Sequence, residues 1–211
     1  MSERTRIKRL PERGSKDRGL LDAILDEALI CHIGFTREDG PVVLPTIHAR
    51  VGDTIYLHGS VAAGNMRALK DGRPVCLTAT LVDGIVAARA LFNHSMNYRS
   101  AVVFGTARLV GDAAERTAAF RAITEHVLPG RWEEARHPND AEDRQTMVLA
   151  VSIDEWSVKT RTGGPGDDEV DYAGDIWAGV IPLAMTAREP VPDELLRPGI
   201  DSPPSVRSYR P

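Results

Sequence analysis

The pattern of small residues over positions 99–110 restricts the fold more than any other feature of this chain. Ala101, Val103, Gly105, Ala107 and Leu109 alternate onto one face of an extended strand, and all but the last are modest in size. A face of this kind suits the inside of a tightly curved sheet, where neighbouring backbones approach closely. The expected class is therefore mainly β (α+β), a closed sheet with peripheral helices.

Other strand-like runs supply the walls of such a sheet. Residues 29–35, 42–51 and 54–57 are apolar runs split by Glu38-Asp39-Gly40 and Gly52-Asp53, both suited to tight turns, so a meander is expected. Residues 75–91 read as one long strand or as two around Asp83-Gly84. Met147, Leu149, Val151 and Ile153 alternate with Val148, Ala150, Ser152 and Asp154, giving a last main strand that closes the sheet. Leu20, Leu21, Ile24, Leu25 and Ala28 recur at helical spacing, with Ser15 as candidate N-cap. Asp112 and Glu115 resemble a capping box before a helix carrying Ala119, Phe120, Ile123 and Val127, and residues 131–144 read as loop or short helix. The expected organisation is an N-terminal arm over 1–14, one domain over 15–162 and an extension over 163–211. That extension holds the loop Gly163-Gly164-Pro165-Gly166, a further edge strand within 176–183 and a proline-rich tail that wraps a neighbour or stays disordered.

Composition excludes several classes. A chain of 211 residues with a net charge of −4 lacks the basic surface of a general nucleic-acid binder. Cys31 and Cys76 lie in apolar runs without CxxC spacing, as buried thiols in a reducing compartment would. No apolar run approaches bilayer-spanning length, so no membrane partner is expected and the expected location is cytoplasmic. His32, His48, His58, His94, His126 and His137 are scattered, with neither HExxH nor a Cys/His cluster, so no metal-ion site is read from them. A haem needs only one axial histidine, so haem stays open.

Residues 55–69 read as a strand that turns directly into a short helix, leaving Ser60, the N–H groups of residues 61–64 and Arg67 around one turn. A second polar group, Asn97-Tyr98-Arg99-Ser100, opens the strand described first. A bound phosphomonoester carries nearly two negative charges and needs paired cations with neutral donors, which Arg67, Arg99, Ser60 and Ser100 together provide. Spacing alone allows the plainer reading equally well, with Arg67 and Lys70 solvating a helix face and Arg99 at the surface.

The order of a helix, strands, Leu44-Pro45-Thr46-Ile47-His48, Tyr56-Leu57-His58-Gly59-Ser60 followed by Arg67, and then the run from His94 through Asn97-Tyr98-Arg99-Ser100 to Phe104-Gly105 resembles the pyridoxamine 5′-phosphate oxidase-like flavoproteins. More narrowly, it resembles the branch containing the nitroimidazole-resistance proteins. The resemblance implies a split β-barrel of Greek-key type that binds FMN, usually as a homodimer with the flavin at the interface. It implies an FMN-dependent oxidoreductase acting on a small-molecule substrate, with a non-catalytic flavin- or haem-binding module or a deazaflavin-dependent reductase as alternatives. Ser60, Arg67, Arg99 and Ser100 would then contact the FMN phosphate, Pro45, Thr46, Ile47 and His48 would line the isoalloxazine ring, and His58 and Tyr98 count with the cofactor-binding positions. His48 is the first and His94 the second choice for a catalytic polar group, although both also suit structural or flavin-positioning roles. Trp177 covers the flavin edge or serves as a core or interface aromatic. Where relatives often carry a basic residue at the start of the short helix, this chain has Gly64-Asn65, which removes one cation from the phosphate site.

Overall fold

The computed structural model describes residues 2–211. Its strands are β1 (Gly14–Ser15), β2 (Ile30–Arg37), β3 (Gly40–Val51), β4 (Thr54–Ser60), β5 (Pro74–Ala87), β6 (Ser95–Leu109), β7 (Thr146–Ser152), β8 (Glu155–Arg161) and β9 (Gly179–Pro182). Its helices are α1 (Arg18–Glu27), α2 (Gly64–Leu69), α3 (Ala113–Val127), α4 (Arg131–Glu134), α5 (Asp140–Gln145) and α6 (Pro204–Arg207). The strand order is β1-β8-β6-β7-β4-β3-β2-β5-β9, and a further pairing of β5 with β6 returns the order on itself. The class is thus mainly β, a split barrel with peripheral helices.

The chain forms two compact units. One comprises the chain up to Ala28 with residues 78–103 and 155–185, and the other residues 29–77, 104–154 and 186–211. In the first, α1 buries Leu21, Ile24 and Leu25 along its apolar stripe. Its N-cap is Asp17, whose side chain accepts from the Gly19 N–H, whereas Ser15 lies in β1 opposite Val158. The expected cap is therefore displaced by two positions, because Ser15 is committed to a strand. The N-terminal segment is tied to β8, where Arg4 pairs with Glu155 at 2.7 Å and the Lys159 ammonium donates to the Arg9 carbonyl. Strand β8, absent from the expected set, follows β7 after only Ile153 and Asp154. The expected edge strand is β9, which pairs antiparallel with β5 from Gly84↔Pro182 to Ala87↔Gly179.

In the second unit, β2, β3 and β4 form the expected meander, with Gly40 and Gly52 at positive φ in its turns. Met147 to Val151 on β7 are all buried, as befits a strand covered on both faces. Helix α3 packs on Ala49, Tyr56, Val148 and Ala150 through Ala119 and Ile123. Asp112 caps it by accepting from the Glu115 N–H at 2.8 Å. The Glu115 carboxylate does not complete a capping box. It accepts from the Tyr56 hydroxyl at 2.9 Å and from Arg108, pinning the helix start to the sheet. The reciprocal capping box occurs instead at α5, between Asn139 and Glu142. The tail is exposed over residues 185–202 and is anchored beyond them at the buried Ser205, which donates from its N–H and hydroxyl to Glu134. Cys31 is buried, which pushes its thiol up to about 12, and neither cysteine forms a disulfide.

The strand of small residues explains the close packing of this unit. A Cβ on Gly105 would lie 2.6 Å from Val151 Cγ1 and 3.0 Å from the Ser152 carbonyl oxygen, inside contact distance. Gly105→Ala is expected to destabilise the protein by about 1–3 kcal/mol, read as a lowered denaturant midpoint with unchanged slope. An unchanged midpoint would refute the close-approach account.

Candidate cofactor site

In the second unit, β4 runs into α2 through a turn that packs closely at Gly59, where a Cβ would sit 2.9 Å from Met66 Cγ. The turn's donors are already engaged. Val61 N–H donates to the Gln145 carbonyl, Ala62 N–H to the Ser60 hydroxyl and Ala63 N–H to the Ser60 carbonyl. The expected cradle of open N–H groups is thus closed on itself at residues 61–63. Helix α2 has six residues and one basic residue in its last turn, Arg67, which is exposed and makes no ion pair among the described residues. Arg67 is the cation this turn offers.

Antiparallel pairing sets Ile30 against Ile47, His32 against Pro45 and Gly34 against Val43. Pro45, Ile47 and Val43 are exposed, as are Ile30 and His32, so this ribbon presents a largely apolar outer face. Thr46 is half-buried, and its hydroxyl lies 3.2 Å from the Ile47 carbonyl. His48, paired with Leu57, is wholly buried, and its ring centroid lies 5.0 Å from that of His126 on α3. Its first-choice role as a substrate-facing group is not supported by that position, because an imidazole with no exposed surface meets no substrate in this conformation. His58 is half-buried opposite Val148, and its Nδ1 is buried without a hydrogen-bond partner. Burial pushes its pKa below the ordinary imidazole value, so it is neutral at pH 7.

The first unit holds the other expected residues. Asn97 donates to the Gly163 carbonyl at 3.1 Å and accepts from Arg161, while Arg161 also donates to the Gly163 and Gly164 carbonyls. The glycine-rich loop is therefore latched to the start of β6. Tyr98 is half-buried. Arg99 is surrounded by acids. Its Nε donates to Asp83 Oδ2 at 3.0 Å and Nη2 to Asp83 Oδ1 at 2.7 Å, while Nη1 and Nη2 reach the two Glu27 oxygens at 2.5 and 2.8 Å. The Arg99 guanidinium holds the Glu27 carboxyl below its ordinary range. The Ser100 hydroxyl donates to the Lys159 carbonyl at 3.3 Å. Arg99 and Ser100 thus have protein partners, and the trio of Arg99, Asp83 and Glu27 carries a net negative charge that opposes a phosphate. His94 and Trp177 are both exposed, and His94 Nδ1 lies 3.2 Å from the Ala90 carbonyl oxygen.

Sequence reasoning missed Glu27 and Asp83. Glu27 reads as the solvated face of α1 and Asp83 as half of a turn, and only the pairing of distant segments brings both to Arg99. It also missed Asp167, whose fully buried carboxylate accepts from the Arg89 and Ala90 N–H groups at 3.0 and 3.3 Å. Among the described residues, no group of three or more His, Cys, Asp or Glu side chains is placed to hold a metal ion. No described helix is long and apolar enough to cross a membrane.

The sequence profile of the pyridoxamine 5′-phosphate oxidase family matches residues 17–160. Among solved structures, the flavocytochrome Anf3 from Azotobacter vinelandii is 38% identical, with 99% of this chain and 97% of that chain covered at a TM-score of 0.92. The FAD and haem binding protein from Mycobacterium smegmatis is 37% identical over 94% of this chain and 97% of that chain, with a TM-score of 0.90. A putative 5-nitroimidazole antibiotic resistance protein from Bacteroides thetaiotaomicron is 26% identical over 69% of this chain and 85% of that chain, with a TM-score of 0.59. Comparison with curated protein sequences found no significant match.

The Arg99–Glu27 pair has a pH signature. Because the folded Glu27 pKa is lowered from 4.5, its contribution is fully present above that value and is lost as pH falls through the folded pKa. Glu27→Gln is expected to flatten part of the acid limb of stability below about pH 4.5, measured by urea unfolding at a series of pH values. An acid limb identical to that of the parent chain would show that the pair adds nothing.

Proposed function

The chain belongs to the pyridoxamine 5′-phosphate oxidase family, and we propose that it is a flavin- and haem-binding redox protein of that family. The observation that carries this reading is its likeness, over nearly the whole of both chains, to a flavocytochrome and to an FAD and haem binding protein. A flavin exchanges one or two electrons and a haem one, so such a protein need only bind, orient and insulate the two groups. A small organic molecule is the proposed oxidant or reductant.

We favour FAD over FMN as the flavin. The terminal phosphate of FMN carries nearly two charges and calls for a strong cation cluster. Here the Arg99 guanidinium is neutralised by Asp83 and Glu27, the N–H groups of residues 61–63 are already engaged, and Gly64-Asn65 supplies no charge. The two phosphates of FAD carry about one charge each and make a smaller local demand. Arg67 is the proposed contact to that pyrophosphate, and the outer face of Pro45 and Ile47 the proposed support for the ring. Ile30, Val43 and Ile47 on the same ribbon are exposed, which supports a homodimer that covers them.

Acid extraction of the purified protein followed by chromatography identifies the flavin, and FAD is the expected product. Extraction of FMN alone would refute the preference, and a protein that neither retains nor takes up any flavin would refute the reading. Arg67→Ala is expected to weaken flavin binding by roughly tenfold, about the 1.4 kcal/mol of one charge-assisted contact. For the assembly, Ile47→Asp is expected to halve the mass seen by light scattering, and an unchanged dimer would place the interface elsewhere.

A further inference from the structure

We propose that His94 is the axial ligand of the haem, an inference that rests on the flavin-and-haem reading above. An iron-binding imidazole must be neutral, must present one bare nitrogen and is generally oriented by an acceptor on the other ring nitrogen. The geometry at His94 supplies the last of these. Its Nδ1 lies 3.2 Å from the Ala90 carbonyl oxygen, and because a carbonyl only accepts, that nitrogen carries the proton. In the neutral ring the Nε2 lone pair is then left to bind iron, on a side chain exposed to solvent.

The orienting carbonyl is itself fixed. The buried side chain of Asp167 accepts from the Arg89 and Ala90 N–H groups, and Arg89 lies over the Tyr172 ring at 4.6 Å. The turn that carries His94 is thereby clamped from the loop that follows β8.

The surroundings suit a macrocycle. Leu91 and Phe92, just before His94, are 86% and 96% exposed, and Met96, just after it, is 52% exposed. Exposed apolar side chains this close together are uncommon without something to cover them. Ala87 pairs with Gly179 in the antiparallel β5–β9 ribbon, so the residues after β5 and those before β9 leave from the same end. Trp177, 67% exposed, is therefore delivered to the end of the ribbon from which Leu91, Phe92 and His94 extend. A flat apolar ring system with one coordination site fits that set of residues.

Three of the other histidines fit less well. His48 is wholly buried against His126, with no exposed face for a porphyrin. The His137 ring lies with Nε2 3.0 Å from the Trp132 carbonyl oxygen and packs on the Trp132 indole with centroids 4.2 Å apart, so one of its faces is already covered by protein. His58 has no acceptor at its buried Nδ1. Coordination by His94 donates one nitrogen lone pair to the iron, with no change of protonation or oxidation state.

The test uses the full chain loaded with hemin and read by the Soret band, by the reduced carbon monoxide spectrum and by haem titration. The unmodified protein is expected to show a histidine-ligated spectrum. His94→Ala is expected to weaken haem binding at least tenfold and to lose that signature, which added imidazole restores. His94→Cys is expected to shift the spectrum toward a thiolate-ligated form, a change that loss of folding cannot mimic. Phe92→Ala is expected to weaken haem binding and keep the ligand signature. Failure of the unmodified protein to bind haem would overturn the functional reading together with this inference. Haem binding with an unchanged spectrum in His94→Ala, or a signature that is lost in His58→Ala instead, would overturn the inference alone. So would a Phe92→Ala variant that dissociates a dimer and leaves haem affinity intact, since the apolar turn would then belong to a second copy.

Discussion

Close backbone approach along β6 is the constraint on which the second unit depends. Gly105 faces Val151 and the Ser152 carbonyl with no room for a Cβ, and Ala107, paired with Val151, is wholly buried. Only small side chains let β6 and β7 meet this tightly. The outer face of the same sheet then receives α3, which is fixed at its start by the Tyr56, Glu115 and Arg108 contacts and along its length by Ala119 and Ile123. Packing, a helix cap and a polar pin act on one helix, so its position does not rest on helix propensity alone.

Much of this was legible in the chain. The meander could be read because its turn residues, Asp39-Gly40 and Gly52-Asp53, need backbone conformations that few other residues adopt. Helix α1 was legible from apolar spacing, but its start was placed two residues early because Ser15 and Asp17 are both good caps and only the pairing with Val158 separates them. Strand β8 leaves little trace in the sequence because Val158 is its only fully buried side chain, giving a weak alternation. At the candidate site, the residue types were visible and their partners were not. Arg99 reads as a phosphate ligand from its neighbours in sequence, while its actual neighbours in space are Glu27 at the end of α1 and Asp83 within β5. Local pattern carries no information about which distant acid arrives.

These acids change what the site can bind. An arginine held by two carboxylates is a fixed structural charge, and attracting a phosphate to it requires giving up strong, partly shielded hydrogen bonds. The expected FMN clamp is therefore reduced to Arg67 as its open cation. In the second unit, the outer face of β2 and β3 retains exposed apolar surface at Ile30, Val43 and Ile47.

The C-terminal stretch shows how little is needed to keep a segment with its domain. Between Met185 and Ser202 every residue is exposed, yet beyond them Ser205 is buried and joined to Glu134 through two donors. That single knot makes the intervening residues a closed loop in place of a free end. The entropy lost on closure grows only with the logarithm of loop length, so this long span adds little to the cost of tying the knot. The span can therefore vary in length or sequence with small thermodynamic effect, while the few residues around Ser205 cannot. Sequence drift should thus be fast along the loop and slow at its fastening.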